Sequence, residues 1–288
     1  MIRKPVVSGR FYPEVAEEIV GLIDDCTSSR LGVRDSAIPP AGRLLGLIMP
    51  HAGFMFSGPV ASWGIRRLKA ENPLPPRLLL LGPKHTVSGS PAAISRATAW
   101  ETPLGNVPID PELRQALHET GEFEMDDRAH AGEHSLEVQL PFLQHLYGKT
   151  PFAVAPVALG YTDFDDCQRW GNALAGVLTQ ARFAGVPVII SSDFSHETPR
   201  EEAYRLDGEA IELIQKLDGK GFFTLVRDED RSICGVVPIT VFLQCIRGWK
   251  NVSARKLAYS TSMDVMPHPA GVGYACVAFE QTAVPSRS

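Results

Sequence analysis

Three apolar runs in this 288-residue sequence each end at a side chain that can bind a metal or carry a proton. The run "LLGLIMPHAGF" ends at His51 and "RLLLLGPKHT" ends at His85, in both cases just after a proline. The run "VPVIISSDFSH" ends at Asp193, with His196 three residues later. If these runs are strands of an open α/β sheet, their carboxyl ends meet at the edge where such sheets bind ligands. We therefore expect these four side chains to surround one site.

Two further segments carry reactive side chains. In "RSICGVVPIT", Cys234 stands shortly before an apolar helix, and a helix N-terminus lowers the pKa of a thiol and favours metal binding or nucleophilic chemistry. The segment "AHAGEHSLEVQLPFL" contributes His130, Glu133, His134 and Glu137. These four residues either join the site or organise the start of the next helix, where acidic and capping side chains are favoured.

Two chemistries compete for these residues. The first is a mononuclear metal site, since imidazole suits iron, copper and zinc, and a thiolate shifts the preference toward copper or zinc. The second is metal-independent hydrolysis by a serine of "SSDFSH", but the sequence has no G-x-S-x-G elbow to present a nucleophile. The H-E-x-x-H motif, the P-loop and the dinucleotide fingerprint are also missing. The residue pattern favours the metal site.

The elements that must position these residues alternate along the chain. Short runs rich in Val, Ile, Leu and Ala predict strands at 44–49, 77–81, 152–159, 186–190, 256–262 and 272–279. Helical patterns occupy 58–70, 110–120, 134–148, 199–217 and 238–249. Pro141 predicts a kink or a later start for the helix at 134–148. The alternation predicts an α/β sheet in one domain spanning residues 1–288.

Composition excludes several other functions. The chain carries 28 basic and 33 acidic residues without a basic run, which argues against binding to nucleic acid or to an anionic membrane surface. No apolar run approaches the roughly 20 residues that span a bilayer, and the N-terminus does not read as a signal peptide. The five cysteines are scattered, without a CxxC pair, so we expect reduced thiols in a cytoplasmic protein.

Eight segments, in order along most of the chain, resemble the Memo family, also called the AmmeMemoRadiSam system protein B family. They are "VSGRFYP", "MPHAGFMFSGPVA", "LLLGPKHT", "ETPLGNVPID", "AHAGEHSLEVQLPFLQ", "SSDFSH", "ICGVVPI" and "VGYACVAF". The resemblance implies a fold similar to class III extradiol dioxygenases, which are non-haem Fe(II) enzymes. That fold has a central mixed, mostly parallel sheet flanked by helices.

The resemblance also implies roles for individual residues. His51, His85 and Cys234 match the two histidines and the cysteine that form the family's metal pocket. Asp193 and His196 match its remaining polar residues, so we expect His196 to act as acid/base and Asp193 to orient it. The expected cofactor is an iron or copper ion, with zinc also compatible with these ligands.

Replacing the usual carboxylate of Fe(II) oxygenases by Cys234 changes the expected activity. A thiolate is soft and easily oxidised, so the resemblance supports metal binding and redox chemistry better than aromatic ring cleavage. The alternative is a non-catalytic protein that binds metal or peptide. The implied ligands are a small aromatic molecule or a peptide, and the implied partners are radical-SAM or AMMECR-type proteins. Lys84 would oppose a cation or attract an anionic substrate, and His268 is either a pocket residue or part of a loop.

Overall fold

The apolar runs form the strands of a mixed sheet in the computed structural model, which describes residues 1–34, 38–71 and 73–282. The strands are β1 (Ile2–Arg3), β2 (Arg43–Met49), β3 (Arg77–Pro83), β4 (Ala92–Ile94), β5 (Ala99–Thr102), β6 (Gly105–Pro108), β7 (Glu124–Met125), β8 (Ala153–Leu159), β9 (Val188–Ser191), β10 (Val252–Thr261) and β11 (Gly273–Gln281). The helices are α1 (Ala16–Ser28), α2 (Phe54–Lys69), α3 (Pro111–His118), α4 (Gln139–Tyr147), α5 (Phe164–Leu178), α6 (Arg200–Gln215), α7 (Gly219–Asp228), α8 (Val236–Ile246) and α9 (Ser262–Val265).

The main sheet has the strand order β10-β11-β2-β9-β3-β8-β4-β7 in the described part of the chain. Its four central strands, β2, β9, β3 and β8, run parallel. The pairs β10–β11, β11–β2 and β8–β4 are antiparallel, and β4–β7 is parallel. A second small sheet joins β1, β5 and β6. The predicted mixed α/β sheet is confirmed, with its parallel part at the centre. The prediction of one domain over residues 1–288 stays a prediction, and residues 283–288 lie outside the described part.

Both faces of the sheet are buried, which explains why the strands are continuously apolar. On β3, Leu79 and Leu81 pack into one core, while Leu78 and Leu80 pack into the other. Helices α3, α5, α6, α7 and α8 contribute to the first core, and α1, α2 and α4 contribute to the second. Helix α8 is buried along its whole length. No helix among the described residues is both long and apolar enough to cross a membrane.

The starts of two helices differ from the prediction. Helix α2 begins at Phe54, four residues before the predicted start, and α4 begins at Gln139, five residues after it. Pro141 occupies the first turn of α4, where a backbone N–H has no intrahelical acceptor, so it starts the helix without a kink. Helices α1, α5, α7 and α9, strands β4 and β7 and the small sheet were not predicted.

A buried ion pair ties α2 to the sheet. Arg67 is fully buried, and its Nε donates to Glu280 Oε1 of β11 at 2.6 Å. Its other nitrogens donate to Glu71 Oε1 and to the Gly42 carbonyl, both at 2.8 Å. Arg255 adds a second cation 3.3 Å from the other oxygen of Glu280. The guanidinium is therefore paired on all sides.

Candidate metal centre

The carboxyl ends of β2 and β3 bring His51 and His85 together beside Cys234, which precedes α8. One ring nitrogen of each histidine and the Sγ atom of Cys234 all lie within 4.8 Å of one another. His51 Nε2 lies 3.4 Å from Cys234 Sγ. Metal–nitrogen bonds of about 2.0–2.1 Å and a metal–sulfur bond of about 2.3 Å place two tetrahedral ligands ~3.5 Å apart. His51 and Cys234 are therefore spaced as two ligands of one ion would be, and the ring nitrogen of His85 lies within 4.8 Å of both.

A hydrogen-bond chain fixes the ring of His51. Ser191 Oγ donates its single proton to the Ser135 carbonyl at 2.7 Å and accepts from Gln139 Nε2 at 2.9 Å. The hydroxyl therefore acts as an acceptor toward His51 Nδ1, which lies 2.8 Å away. The proton of the neutral imidazole is thus on Nδ1, and the lone pair of Nε2 faces Cys234. Burial lowers the pKa of His51 well below its ordinary value and keeps the ring neutral, the form that binds metals.

Glu133 fixes the ring of His85, as Ser191 fixes that of His51. Its carboxylate accepts the backbone N–H of His85 at 2.5 Å and lies 3.0 Å from His85 Nδ1. Burial opposes ionisation of Glu133, but hydrogen bonds from His85 and from the Ser135 amide outweigh it and hold its pKa at about 2. An ionised carboxylate only accepts, so Nδ1 carries a proton, and Nε2 has a lone pair whenever the ring is neutral. Burial lowers the pKa of His85, but the hydrogen bond to Glu133 outweighs it and raises the pKa, so a metal that binds Nε2 of the charged ring must displace a proton. Such carboxylate–histidine pairs commonly orient metal ligands.

Replacing Glu133 with Gln is expected to lower metal affinity about 10–100-fold, the usual effect of losing a partner that orients a metal ligand. The amide has one acceptor oxygen in place of two and turns an NH₂ group toward the donors of His85. Competition titration with a chelator measures this change. Glu119→Gln on the surface of the same protein is the matched control. Equal affinities of wild-type and Glu133→Gln proteins would contradict the assigned role.

His134 completes a group of three imidazoles. Its ring stacks on His85 with 4.7 Å between centroids, and its centroid lies 5.5 Å from that of His51. The ligand atoms of His85, Glu133 and His134 also lie within 4.8 Å of one another. However, both oxygens of Glu133 already accept N–H groups, so this carboxylate supports His85 and is poorly placed to bind a second ion. The side chain of His134 is 22% exposed and touches Phe11 edge-on. The rings of His134 and Phe11 therefore form a wall of the site.

Asp193 is buried beneath the same site. Its Oδ1 accepts the backbone N–H of His51 at 2.8 Å, and its own N–H donates to Cys234 Sγ at 3.2 Å. Burial raises its pKa to about 6. The sequence predicted that Asp193 orients His196, but within the described residues no hydrogen bond joins the two side chains. The contacts of Asp193 support His51 and Cys234 instead, and its catalytic role stays a prediction.

The thiol of Cys234 behaves differently from the sequence expectation. Cys234 precedes Gly235, the N-cap of α8, and the helix N-terminus was expected to lower the thiol pKa. Burial and then the neighbouring Asp193 carboxylate raise the pKa of Cys234 instead. The expectation was wrong because desolvation and a nearby negative charge outweigh one helix terminus. The metal-free thiol is therefore protonated, and a metal that binds it must displace the proton.

Comparison with known proteins gives the family. The family model described as "Memo-like protein" matches residues 3–278. The chain belongs to the Memo family. A MEMO1 family protein of Methanopyrus kandleri is 39% identical over 285 residues, covering 98% of this chain and 100% of that protein. A MEMO1 family protein of Pyrobaculum aerophilum is 36% identical over 281 residues, covering 96% and 99%. The resemblance seen in the eight sequence segments is thus confirmed.

The fold of this Memo-family chain has a more distant likeness among solved structures. An uncharacterised protein of Escherichia coli K12 superimposes with a TM-score of 0.54 at 15% identity. The alignment covers 82% of this chain and 99% of that protein. At this identity the likeness concerns the fold alone.

The serines of "SSDFSH" in this Memo-family protein do not form a triad. The Ser191 hydroxyl donates to the Ser135 carbonyl, Ser192 Oγ donates to the Asp193 carbonyl at 2.8 Å, and Ser195 Oγ donates to Asp207. Among the described residues none of these hydroxyls hydrogen-bonds to His196. The geometry gives the hydrolase alternative no activated nucleophile.

Two residues left open by the sequence lie in loops. Lys84 Nζ donates to the carbonyls of Ser88, Gly89 and Ser90 at 3.1, 2.8 and 3.1 Å, respectively. Its ammonium group therefore shapes the loop that follows β3, and neither of the two roles expected for its charge is needed to explain it. His268 is exposed, and its Nδ1 lies 2.6 Å from the Ala270 carbonyl within its own loop.

The remaining residues of the predicted His/Glu cluster serve the structure of the Memo domain. Glu137 accepts the backbone N–H groups of Val6 and Val7, the Tyr12 hydroxyl at 2.8 Å and the Arg3 guanidinium at 2.7 Å. It thereby anchors the N-terminal segment that carries Phe11. The sequence left open whether Glu133, His134 and Glu137 join the site or organise the next helix, and only the structure separates their roles.

His130 is fully buried away from the metal ligands, with Nε2 3.2 Å from the Ala93 carbonyl. Burial, followed by the nearby Arg3 charge, lowers its pKa to about 4 from about 6.5. Between these values the unfolded chain binds the proton more tightly than the folded chain. Its contribution to stability is therefore complete above pH 6.5, and about 3 kcal/mol is lost as the pH falls to 4.

We expect His130→Phe to remove this part of the pH dependence. Urea unfolding of both proteins at pH 7, 5.5 and 4 measures it, and the stability difference between them should shift by about 3 kcal/mol in favour of the variant. His118→Phe, at an exposed position on α3, is the control. Parallel stability curves for wild-type and His130→Phe proteins would refute the assignment.

Proposed function

We propose that this Memo-family protein binds one copper or iron ion between His51, His85 and Cys234 and uses it in redox chemistry. The observation that carries the proposal is the state of the two histidines. Ser191 accepts the Nδ1 proton of His51 and Glu133 accepts that of His85, so that in the neutral rings both Nε2 atoms have their lone pairs free for a metal beside the thiol. Two imidazoles and a thiolate are ligands that copper, iron and zinc accept.

The softness of the thiolate favours Cu(I) over Fe(II), while zinc would bind without redox chemistry. When bound, copper or iron would exchange electrons with a ligand in the pocket. The chain itself supplies the surroundings: His134 and Phe11 form a wall, Asp193 supports two of the ligands, and His196 is available for proton transfer. An oxidisable thiol needs a reducing compartment, so the cytoplasm is part of this proposal.

A groove beside the site favours a second candidate function, binding of metal or peptide without turnover. It has a volume of about 570 Å³ and is lined by Phe11, Gly53, Phe54, Met55 and Phe56, among other residues. The side chain of Met55 is 56% exposed there, and methionine adapts readily to different apolar ligands. A small aromatic molecule or a peptide fits this lining, and a radical-SAM or AMMECR-type protein is the proposed partner that would present it.

Metal analysis of anaerobically purified protein tests the proposal. We expect about one ion per chain, the stoichiometry of a single open site, with Cu(I), Fe(II) and Zn(II) compared by chelator competition. His51→Ala should lose the ion, whereas His145→Ala, at a half-buried position on α4, should retain it. Wild-type protein that takes up none of the three ions would overturn the proposal. Oxygen uptake by the loaded protein with a reductant and a catechol separates redox turnover from binding alone.

The raised pKa of Cys234 gives a pH dependence for metal binding. Because the free thiol is protonated and the pKa of His85 is raised, each ion bound should release at least one proton, and apparent affinity should rise at least about ten-fold per pH unit. Titration of Zn(II) in buffers of different ionisation enthalpy, from pH 6.5 to 8, counts the protons. Affinity that does not change with pH would show that the thiol is not a ligand.

A further inference from the structure

Ser232 holds His196 by both its backbone and its hydroxyl. The backbone N–H of His196 donates to Ser232 Oγ at 2.8 Å, and His196 Nδ1 lies 2.7 Å from the Ser232 carbonyl oxygen. The Thr198 hydroxyl donates to the His196 carbonyl at 2.9 Å, which fixes the backbone from the other side. Glu197, between them, has a φ of 52°, a conformation that non-glycine residues adopt only when their surroundings enforce it.

A carbonyl oxygen accepts hydrogen bonds and cannot donate them. The proton of the neutral His196 ring must therefore lie on Nδ1, which leaves the lone pair on Nε2. Among the described residues Nε2 has no hydrogen-bond partner, and the ring is near enough to Asp193 and His51 to influence their pKa values. We propose that Ser232 is a positioning residue that fixes His196 as the Nδ1–H tautomer, so that its imidazole accepts a proton at Nε2 from a ligand in the site.

The segment that carries Ser232 is itself anchored. The side chain of Arg231 is 4% exposed, donates to the Leu206 carbonyl and to Glu229, both at 2.6 Å, and also pairs with Glu209. Two residues after Ser232 the same segment supplies Cys234. One short anchored stretch therefore positions both groups: Ser232 holds the imidazole of His196, and Cys234 carries the thiol. The use of this imidazole as a base rests on the proposed function, whereas its tautomer does not.

The experiment uses metal-free, full-length protein labelled with ¹⁵N-histidine. Two-bond proton–nitrogen correlation spectra distinguish a protonated ring nitrogen from one with a lone pair, and His196→Gln assigns the signals. We expect a single Nδ1–H tautomer for His196. Ser232→Ala keeps the carbonyl but removes the hydroxyl that holds the His196 backbone beside it. The Nδ1–H bond to the carbonyl should then weaken, and the excess of this tautomer should fall by up to about ten-fold, the value of one hydrogen bond. Ser232→Thr keeps the hydroxyl and should restore it, and Ser28→Ala, exposed on α1, is the control.

A wild-type spectrum dominated by the Nε2–H tautomer would overturn the proposal, and this measurement does not depend on any variant folding. An unchanged tautomer ratio in a folded Ser232→Ala protein would also overturn it. Zn(II) affinity, measured in parallel, should change less than about three-fold in Ser232→Ala, because its ligands are intact. Protein that shows the Nδ1–H tautomer but binds no metal would refute the metal centre and leave this inference standing.

Discussion

Cys234→Asp should exchange the metal preference of the site from Cu(I) to Fe(II). The substitution converts two histidines and a thiolate into two histidines and a carboxylate, the ligand set that non-haem iron oxygenases use. We expect Cu(I) affinity to fall by more than about 100-fold, or about 3 kcal/mol, because thiolates and not carboxylates select Cu(I). Fe(II) affinity should stay within about ten-fold of the wild-type value.

Cys234→Asp should also lower the stability of the metal-free protein. Asp193 is buried next to this position, so a second carboxylate there meets a like charge until a cation binds. Metal-free Cys234→Asp protein should therefore melt at a lower temperature than wild-type protein, and Fe(II) should recover most of the difference. Thermal unfolding with and without the ion measures this.

The control for this experiment is Cys26→Ser. Cys26 is buried, and its thiol donates to the Phe54 carbonyl at 3.2 Å, a hydrogen bond that serine can also make. The affinities of Cys26→Ser protein for Cu(I) and Fe(II) should match those of wild-type protein. If Cys234→Asp retained wild-type Cu(I) affinity, Cys234 would not be a metal ligand.

The largest loss of stability is expected from Arg67→Met. The substitution leaves the Glu280 carboxylate buried, with Arg255 as its remaining cation, and breaking a buried pair from one side costs about 3–5 kcal/mol. Met retains much of the apolar volume of the Arg67 side chain, so the loss reports the unpaired charge. Urea unfolding monitored by fluorescence gives the free energy of unfolding.

The double variant Arg67→Met/Glu280→Met is the decisive comparison. Removing both partners leaves no fully buried charge unpaired, because Arg255 and Glu71, which also lose a partner, reach solvent. The double variant should therefore be more stable than Arg67→Met alone. Additive losses from the two substitutions would show that the charges do not interact, and that packing explains the effect.

The sequence predicted the parts of this protein that depend on local pattern. The strand that ends at His51 is identifiable because both of its faces are buried, and a run without polar residues follows from that. The convergence of His51 and His85 was predictable because parallel strands end at one edge. The Memo-family fold followed from motifs that lie at these same strand ends.

Other parts depend on contacts between segments far apart in the chain. Glu133 binds the ring of His85, 48 residues away, and nothing in its own segment distinguishes it from Glu137, which anchors the N-terminus. The raised pKa of Cys234 comes from its burial and from Asp193, neither of which is visible next to it in the sequence. The partner of His196 is a backbone carbonyl, a group that every residue has.

The position of β9 between β2 and β3 has a consequence for biosynthesis. The two histidine-bearing strands contact β9 and not each other, so the centre of the sheet stays open until residues 188–191 have been synthesised. Pairings this distant in the chain form slowly, because the intervening loop must first be closed. Cys234 is made later still. A nascent chain therefore brings His51, His85 and Cys234 together late, and the proposed ion would enter a fold whose central strands are already paired.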